Sequence, residues 1–110
     1  MPTSDWPAIS ARFNLRTPDG HCLHVRQCGP DSGEPWLVLH GGPGSGCTPS
    51  MAAWFDPLRH RAVLPDQRGA GGSRPAGTLR RNTVTALLAD LEQLRIALGI
   101  ERWGVVGGSW

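Results

Sequence analysis

Trp36-Leu37-Val38-Leu39-His40-Gly41-Gly42-Pro43-Gly44 is the stretch on which the fold turns. An unbroken apolar run is the mark of a strand buried on both faces. Here it ends in a Gly-rich loop that continues to Gly46. Downstream, Ala62-Val63-Leu64 and Trp103-Gly104-Val105-Val106 repeat the pattern, and each also runs into glycines. The strands are expected over 36 to 40, 62 to 65 and 103 to 108. Residues 49 to 58, with Met51, Trp54 and Phe55, read as a short helix between the first two. A longer helix is expected from Thr83 to Leu98, where Val84, Leu87, Leu88, Leu91, Leu94 and Leu98 recur at helical spacing on one face. Asn82 is placed to cap its start, Gly99 to take the C′ position, and Glu92 to pair with Arg95 on the exposed side. Upstream, Phe13 and Leu15 alternate with polar residues. Pro18-Asp19-Gly20 then turns the chain and Leu23 and Val25 alternate again, an antiparallel hairpin over roughly 12 to 28. A hairpin followed by strands alternating with helices is an α/β fold with a mostly parallel sheet.

The 110 residues suffice for one domain with a modest core. A net charge of +2 gives no footing for nucleic acid or a membrane surface. All basic residues are arginines, which excludes a P-loop lysine, a Schiff-base lysine and a Ser-Lys dyad within this chain. Cys22, Cys28 and Cys47 are an odd set without CxxC spacing, not a disulfide framework. His21, Cys22 and His24 are close in sequence, but on an extended strand the two histidines point to opposite faces. They read as strand residues, and neither a metal nor a cofactor is expected. The N-terminus lacks the apolar core of a secretory signal, and no run approaches the roughly 18 apolar residues of a membrane span. A reduced, cytoplasmic setting is the expectation.

The glycine clusters sit at strand ends, and in open parallel sheets the C-terminal ends of the strands carry the site. Gly107-Gly108-Ser109-Trp110 begins a G-x-S-x-G nucleophile elbow, the strand-to-helix turn that presents a serine hydroxyl. Small residues around the serine permit its tight backbone. Attack on an ester or amide builds an oxyanion, which backbone N–H groups in a dry site stabilise. One donor is the residue after the nucleophile, here Trp110; the other comes from a Gly-rich loop after an earlier strand, the place held by His40 to Gly44. A phosphate-binding loop is disfavoured because no lysine follows. In an elbow hydrolase the acid and then the base follow the serine, so His40 is expected to orient its loop rather than to act as base. Asp66 is expected to be a turn residue, and His21, His24 and His60 to be strand or surface residues.

Four segments carry a family resemblance. His40-Gly41-Gly42-Pro43-Gly44 resembles the HGGPG loop of proline iminopeptidases, and Asp66-Gln67-Arg68-Gly69-Ala70-Gly71-Gly72-Ser73 resembles their DQRGxGxS turn. Asn82-Thr83 followed by Leu88-Ala89-Asp90-Leu91-Glu92-Gln93-Leu94-Arg95 is similar to their NT…LVADIERLR helix, and Gly107-Gly108-Ser109-Trp110 to the start of their GGSWGS elbow. The order and spacing agree over most of residues 12 to 110. Pro65 and Ser45 depart from the usual pattern without touching the chemistry. The resemblance implies the N-terminal part of an α/β-hydrolase domain, residues 1 to 110, ending at the elbow, with the acid, the base and the cap domain beyond it. It implies removal of an N-terminal proline from peptides. Ser109 would be the nucleophile, Gly42 and Trp110 N–H groups would form the oxyanion hole, and His40, Gly41, Pro43 and Gly44 would form the supporting loop. The peptide is the one partner implied, and the 110-residue piece alone is expected to be inactive.

Two rivals stand beside this reading. One is another α/β-hydrolase, an esterase or amidase; epoxide hydrolases and haloalkane dehalogenases are disfavoured because they carry Asp at the nucleophile position. The other is a non-catalytic binding fragment of the same fold.

Overall fold

In a computed structural model, residues 6, 9–41, 46–75 and 83–107 are described. The chain forms β1 (Ile9–Arg16), β2 (Cys22–Cys28), β3 (Glu34–Leu39), α1 (Pro49–Ala52), β4 (His60–Pro65), α2 (Val84–Ala97) and β5 (Gly104–Gly107). They build one sheet in the order β1-β2-β4-β3-β5. β1 and β2 are the antiparallel hairpin, with Phe13 opposite Val25 and Leu15 opposite Leu23. β2 pairs antiparallel with β4, while β3 lies parallel to both β4 and β5. All three apolar runs are therefore parallel strands.

Both faces of the sheet are covered around β3 and β4, which explains their unbroken apolar runs, but β5, expected to be buried as well, leaves Val105 exposed. Val38, Ala62 and Leu64 pack with Cys28, Cys47 and Ala52 on the α1 face. The intervening residues point the other way: Leu37 meets Leu87 and Leu91, and Val63 meets Leu94, all on α2. Between β3 and β5 the fit requires a glycine. A Cβ on Gly104 would lie 2.4 Å from the Trp36 ring, so the indole occupies the space a side chain would take.

Several expectations need correction. α1 ends at Ala52, and residues 53 to 59 are turns rather than a helix to 58. Asp56 accounts for this locally: its carboxylate accepts from Leu58 N and its own N–H donates to His60 Nδ1. Phe55 still packs against the core, but Trp54 is exposed. The cap of α2 is Thr83, whose Oγ1 accepts from Ala86 N, rather than Asn82. Gly99 takes the C′ place, with φ +69°, and Glu92 accepts from Arg95 Nε at 2.9 Å as expected. Of the supposed apolar face of α2, Leu87, Leu91 and Leu94 are buried, but Val84 and Leu88 are exposed. The sheet covers a narrower stripe than the sequence offers, and part of that stripe is taken by the buried Asp90. His21 is neither a strand nor a surface residue. It precedes β2, is buried, and its N–H donates to Thr17 Oγ1 in the hairpin turn.

Candidate active site

The strand order marks out a candidate site. From β3 the chain passes to β4 on one side, then returns across β3 to β5 on the other. Ligands of open α/β sheets bind where the order reverses in this way, beyond the C-terminal strand ends. At that edge Leu39, the last residue of β3, pairs with Gly107, the last of β5. The Gly-rich loop begins at the residue after Leu39, and Ser109 comes two residues after Gly107. Among the expected site residues, His40 and Gly41 are described; Gly42, Pro43, Gly44, Ser109 and Trp110 lie outside the described residues.

His40 is buried, and its ring is committed. Gln67 N donates to His40 Nε2 at 2.9 Å, and Gln67 Nε2 donates to the His40 carbonyl at 2.9 Å. A ring nitrogen that accepts from an amide carries no proton, so the proton sits on Nδ1, which lies 3.4 Å from the Gly41 carbonyl. Burial pushes the His40 pKa below its ordinary value, favouring this neutral form. With its one lone pair occupied, His40 has none left to accept a proton from a nucleophile. Its bonds tie the end of β3 to Gln67 in the turn after β4.

Asp66 is more than a turn residue. Its carboxylate is buried, and Oδ1 accepts from Cys47 N at 2.8 Å and from Arg26 Nη1 at 3.1 Å. Oδ2 accepts from Gly72 N at 2.9 Å, and the Asp66 carbonyl accepts from Ser73 Oγ at 2.6 Å. Arg26 supplies the balancing charge and stacks on Trp6, its guanidinium carbon 4.6 Å from the ring centroid. A buried carboxylate is tolerable on these terms: paired, and hydrogen-bonded through both oxygens.

Behind this turn Arg68 is buried between two carboxylates. Nε and Nη2 donate to Asp90 Oδ2 and Oδ1 at 2.7 and 2.6 Å, and Nη1 donates to Asp19 Oδ2 at 2.7 Å. The Asp90 bonds first, and the Asp19 bonds after them, hold the guanidinium above its ordinary pKa, and Arg68 in turn holds the Asp19 carboxyl well below the carboxylate range. One arginine thus ties the hairpin turn, the turn after β4 and α2 together. Sequence reasoning misses Gln67, Arg68, Ser73, Asp90 and Asp19 as site supports. The signal that could have found them is Asp-Gln-Arg followed by an acidic residue at an otherwise apolar helix position.

The three cysteines are free thiols. Cys47 is buried, its Sγ–H donates to the Pro65 carbonyl at 3.3 Å, and burial, with the Asp66 charge behind it, pushes its pKa up to about 12. It is no nucleophile at neutral pH. Among the described residues no cluster of three or more His, Cys, Asp and Glu could hold a metal ion. No described helix is long and apolar enough to cross a membrane.

Known proteins resemble this chain at both levels. Residues 34–110 match the family described as alpha/beta hydrolase fold. The chain is 55% identical over 92 residues to the proline iminopeptidase of Xylella fastidiosa strain 9a5c, covering 84% of this chain and 29% of that protein. It is 50% identical over 97 residues to the proline iminopeptidase of Xanthomonas citri, covering 88% and 31%. The crystal structure of a proline iminopeptidase-related protein from Thermus thermophilus superposes with a TM-score of 0.71 at 35% identity, over 88% of this chain and 36% of that one. A structure from work on metagenomic epoxide hydrolases of hot environments superposes with a TM-score of 0.76 at 31% identity, over 91% and 34%. The chain spans under a third of the length of these two iminopeptidases.

Proposed function

The chain belongs to the α/β-hydrolase fold family, and from that premise we propose that it is the N-terminal part of a serine aminopeptidase that releases N-terminal proline from peptides. The observation that supports this most is the pairing of Leu39 with Gly107. It brings the ends of β3 and β5 together, so the Gly-rich loop and the serine segment leave the sheet from adjacent strands. The substrate assignment rests on the likeness to proline iminopeptidases.

In this reading Ser109 Oγ attacks the proline carbonyl while a histidine later in the full-length chain takes its proton. The oxyanion is held by the N–H groups of Gly42 and Trp110. As the carbonyl reforms, the C–N bond breaks and the histidine returns the proton to the leaving amine. Water then cleaves the prolyl ester by the same route, with a downstream Asp orienting the histidine. Residues 1 to 110 alone hold neither acid nor base for this triad and would be inactive. His40 supports that division of labour, because its lone pair is already used.

An epoxide hydrolase is the rival favoured by the structural likeness, but Ser109 stands where those enzymes carry Asp. The test is Ser109→Ala in the full-length protein, assayed on a proline arylamide. Loss of turnover by about 10⁴- to 10⁶-fold is expected, because nucleophile and base act as a unit. Near-normal turnover would remove Ser109 from the chemistry.

A further inference from the structure

We propose that Asp66 and Gln67 are positioning residues that fasten the oxyanion-donor loop at both of its ends. The proposal rests on the reading above, in which that loop supplies Gly42. The loop leaves β3 at His40 and Gly41 and returns at Gly46 and Cys47. Gln67 holds the departing end with a reciprocal pair: its backbone N–H binds the His40 ring, and its side-chain amide binds the His40 carbonyl, each at 2.9 Å. Asp66 holds the returning end, accepting Cys47 N at 2.8 Å. Two consecutive residues thus grip both ends. They can do so because β3 and β4 are parallel neighbours, so the turn after β4 lies beside the loop after β3.

The packing around Asp66 leaves it little freedom. Gly46 has φ +80°, and a Cβ there would lie 2.7 Å from Asp66 Oδ1; a Cβ on Gly71 would lie 2.5 Å from Oδ2. Glycine is required at Gly46 twice over, for the left-handed backbone and for the carboxylate's approach. A carboxylate with N–H donors from two separate loops, Cys47 and Gly72, fixes the distance between those loops as well as their stability. An oxyanion hole needs such fixity. Its donors are effective only when already aimed at the developing charge, and a misplacement of about 1 Å costs on the order of 10²-fold.

The experiment uses the full-length protein with Gln67→Met, Gln67→Glu and Asp66→Asn. Methionine keeps the length of Gln67 and removes its amide donor; glutamate removes the donor and sets a carboxylate against the His40 carbonyl. Each variant is assayed for kcat and KM on a proline arylamide. It is also assayed for inhibition by the matching aldehyde, which adds to the serine as an oxyanion-bearing adduct, and by the matching alcohol, which does not. Gln67→Met should lower kcat about 10- to 100-fold with KM changed less than about threefold, the split of an interaction made in the transition state. Aldehyde affinity should fall in step while alcohol affinity stays. Gln67→Glu should lose at least as much. A purely structural brace would lower the yield of folded protein but leave kcat and aldehyde affinity per active site unchanged, and that result overturns the proposal. If Asp66→Asn does not fold, Gln67→Met decides alone. Ser109→Ala run alongside separates the two claims: surviving turnover there removes the serine reading and this proposal with it, whereas abolished turnover there with wild-type kcat in Gln67→Met removes this proposal only.

Discussion

Arg68 and Asp90 face each other as a fork, two parallel N–H to carboxylate bonds of 2.7 and 2.6 Å between side chains that are both almost wholly buried. The pair fastens the turn after β4 to the middle of α2. Such a pair is weak evidence of net stability, since desolvation offsets its attraction, but breaking it leaves one charge buried alone. Asp90→Ala should therefore cost about 3–5 kcal/mol, and the double replacement Arg68→Met with Asp90→Leu should cost clearly less than the single change. Denaturant unfolding of the full-length protein measures both. A harmless Asp90→Ala would show that Asp19 alone suffices to hold Arg68.

The neutral His40 ring sets a pH dependence. Its pKa is lowered in the folded protein by burial, so below about 6.5 the unfolded chain takes up a proton that the folded one resists. This contribution to stability is present at neutral pH and is lost as pH falls from 6.5 towards the depressed folded value. His24, lowered by burial and then by Arg26, adds a slope of the same sign. In His40→Gln the melting temperature should fall less steeply across the acid range than in the parent. Parallel slopes would mean that His40 does not titrate within it.

Cysteine reactivity should follow burial. Cys47, with its pKa pushed up to about 12, should be the last thiol to react with iodoacetamide at mildly alkaline pH, and Cys28, also raised by burial, should be slow. Cys22 is only partly buried and should be labelled first. Peptide mass spectrometry with and without denaturant reads the order. Rapid native labelling of Cys47 would contradict the contact with Asp66 and Pro65.

Gly46→Ala should cost more than a left-handed residue alone explains. The conformation costs on the order of 1–3 kcal/mol, and the added methyl must also displace Asp66 Oδ1 from 2.7 Å. Since Asp66 also holds Gly72, protection from hydrogen exchange should fall at Gly72 as well as at Cys47. An effect confined to Cys47 would show that the two loops are not coupled through this carboxylate.

β3 and β4 were legible because Leu37-Val38 and Val63-Leu64 are apolar and buried on both faces, whereas Val105, in an equally apolar run, is exposed on β5. The α2 helix was legible from a different mark, one buried face at helical spacing through Leu87, Leu91 and Leu94. Val84 and Leu88 obey the same spacing yet stay exposed, because spacing records what a helix offers and not the width of the surface it meets. Asp66, Gln67 and Asp90 were opaque because their partners, Cys47, His40 and Arg68, are about 20 or more residues away in sequence. A polar residue's burial is decided by such a partner and leaves no period to read. Ser109, Gly42 and Trp110 are read from pattern alone and lie outside the described residues.

The pairing of Leu39 with Gly107 also bears on when the site forms. Contacts between residues so far apart in sequence carry a large loop-closure cost and come late in folding. The hairpin and α2 can form early, from neighbours in sequence. The edge that joins the Gly-rich loop to the serine segment can close only after β4 has docked on one side of β3 and the chain has crossed back to lay β5 on the other. A newly made chain therefore acquires its framework well before this edge, and until β5 arrives one side of β3 is an unpaired apolar strand, the species most prone to associate with its own kind.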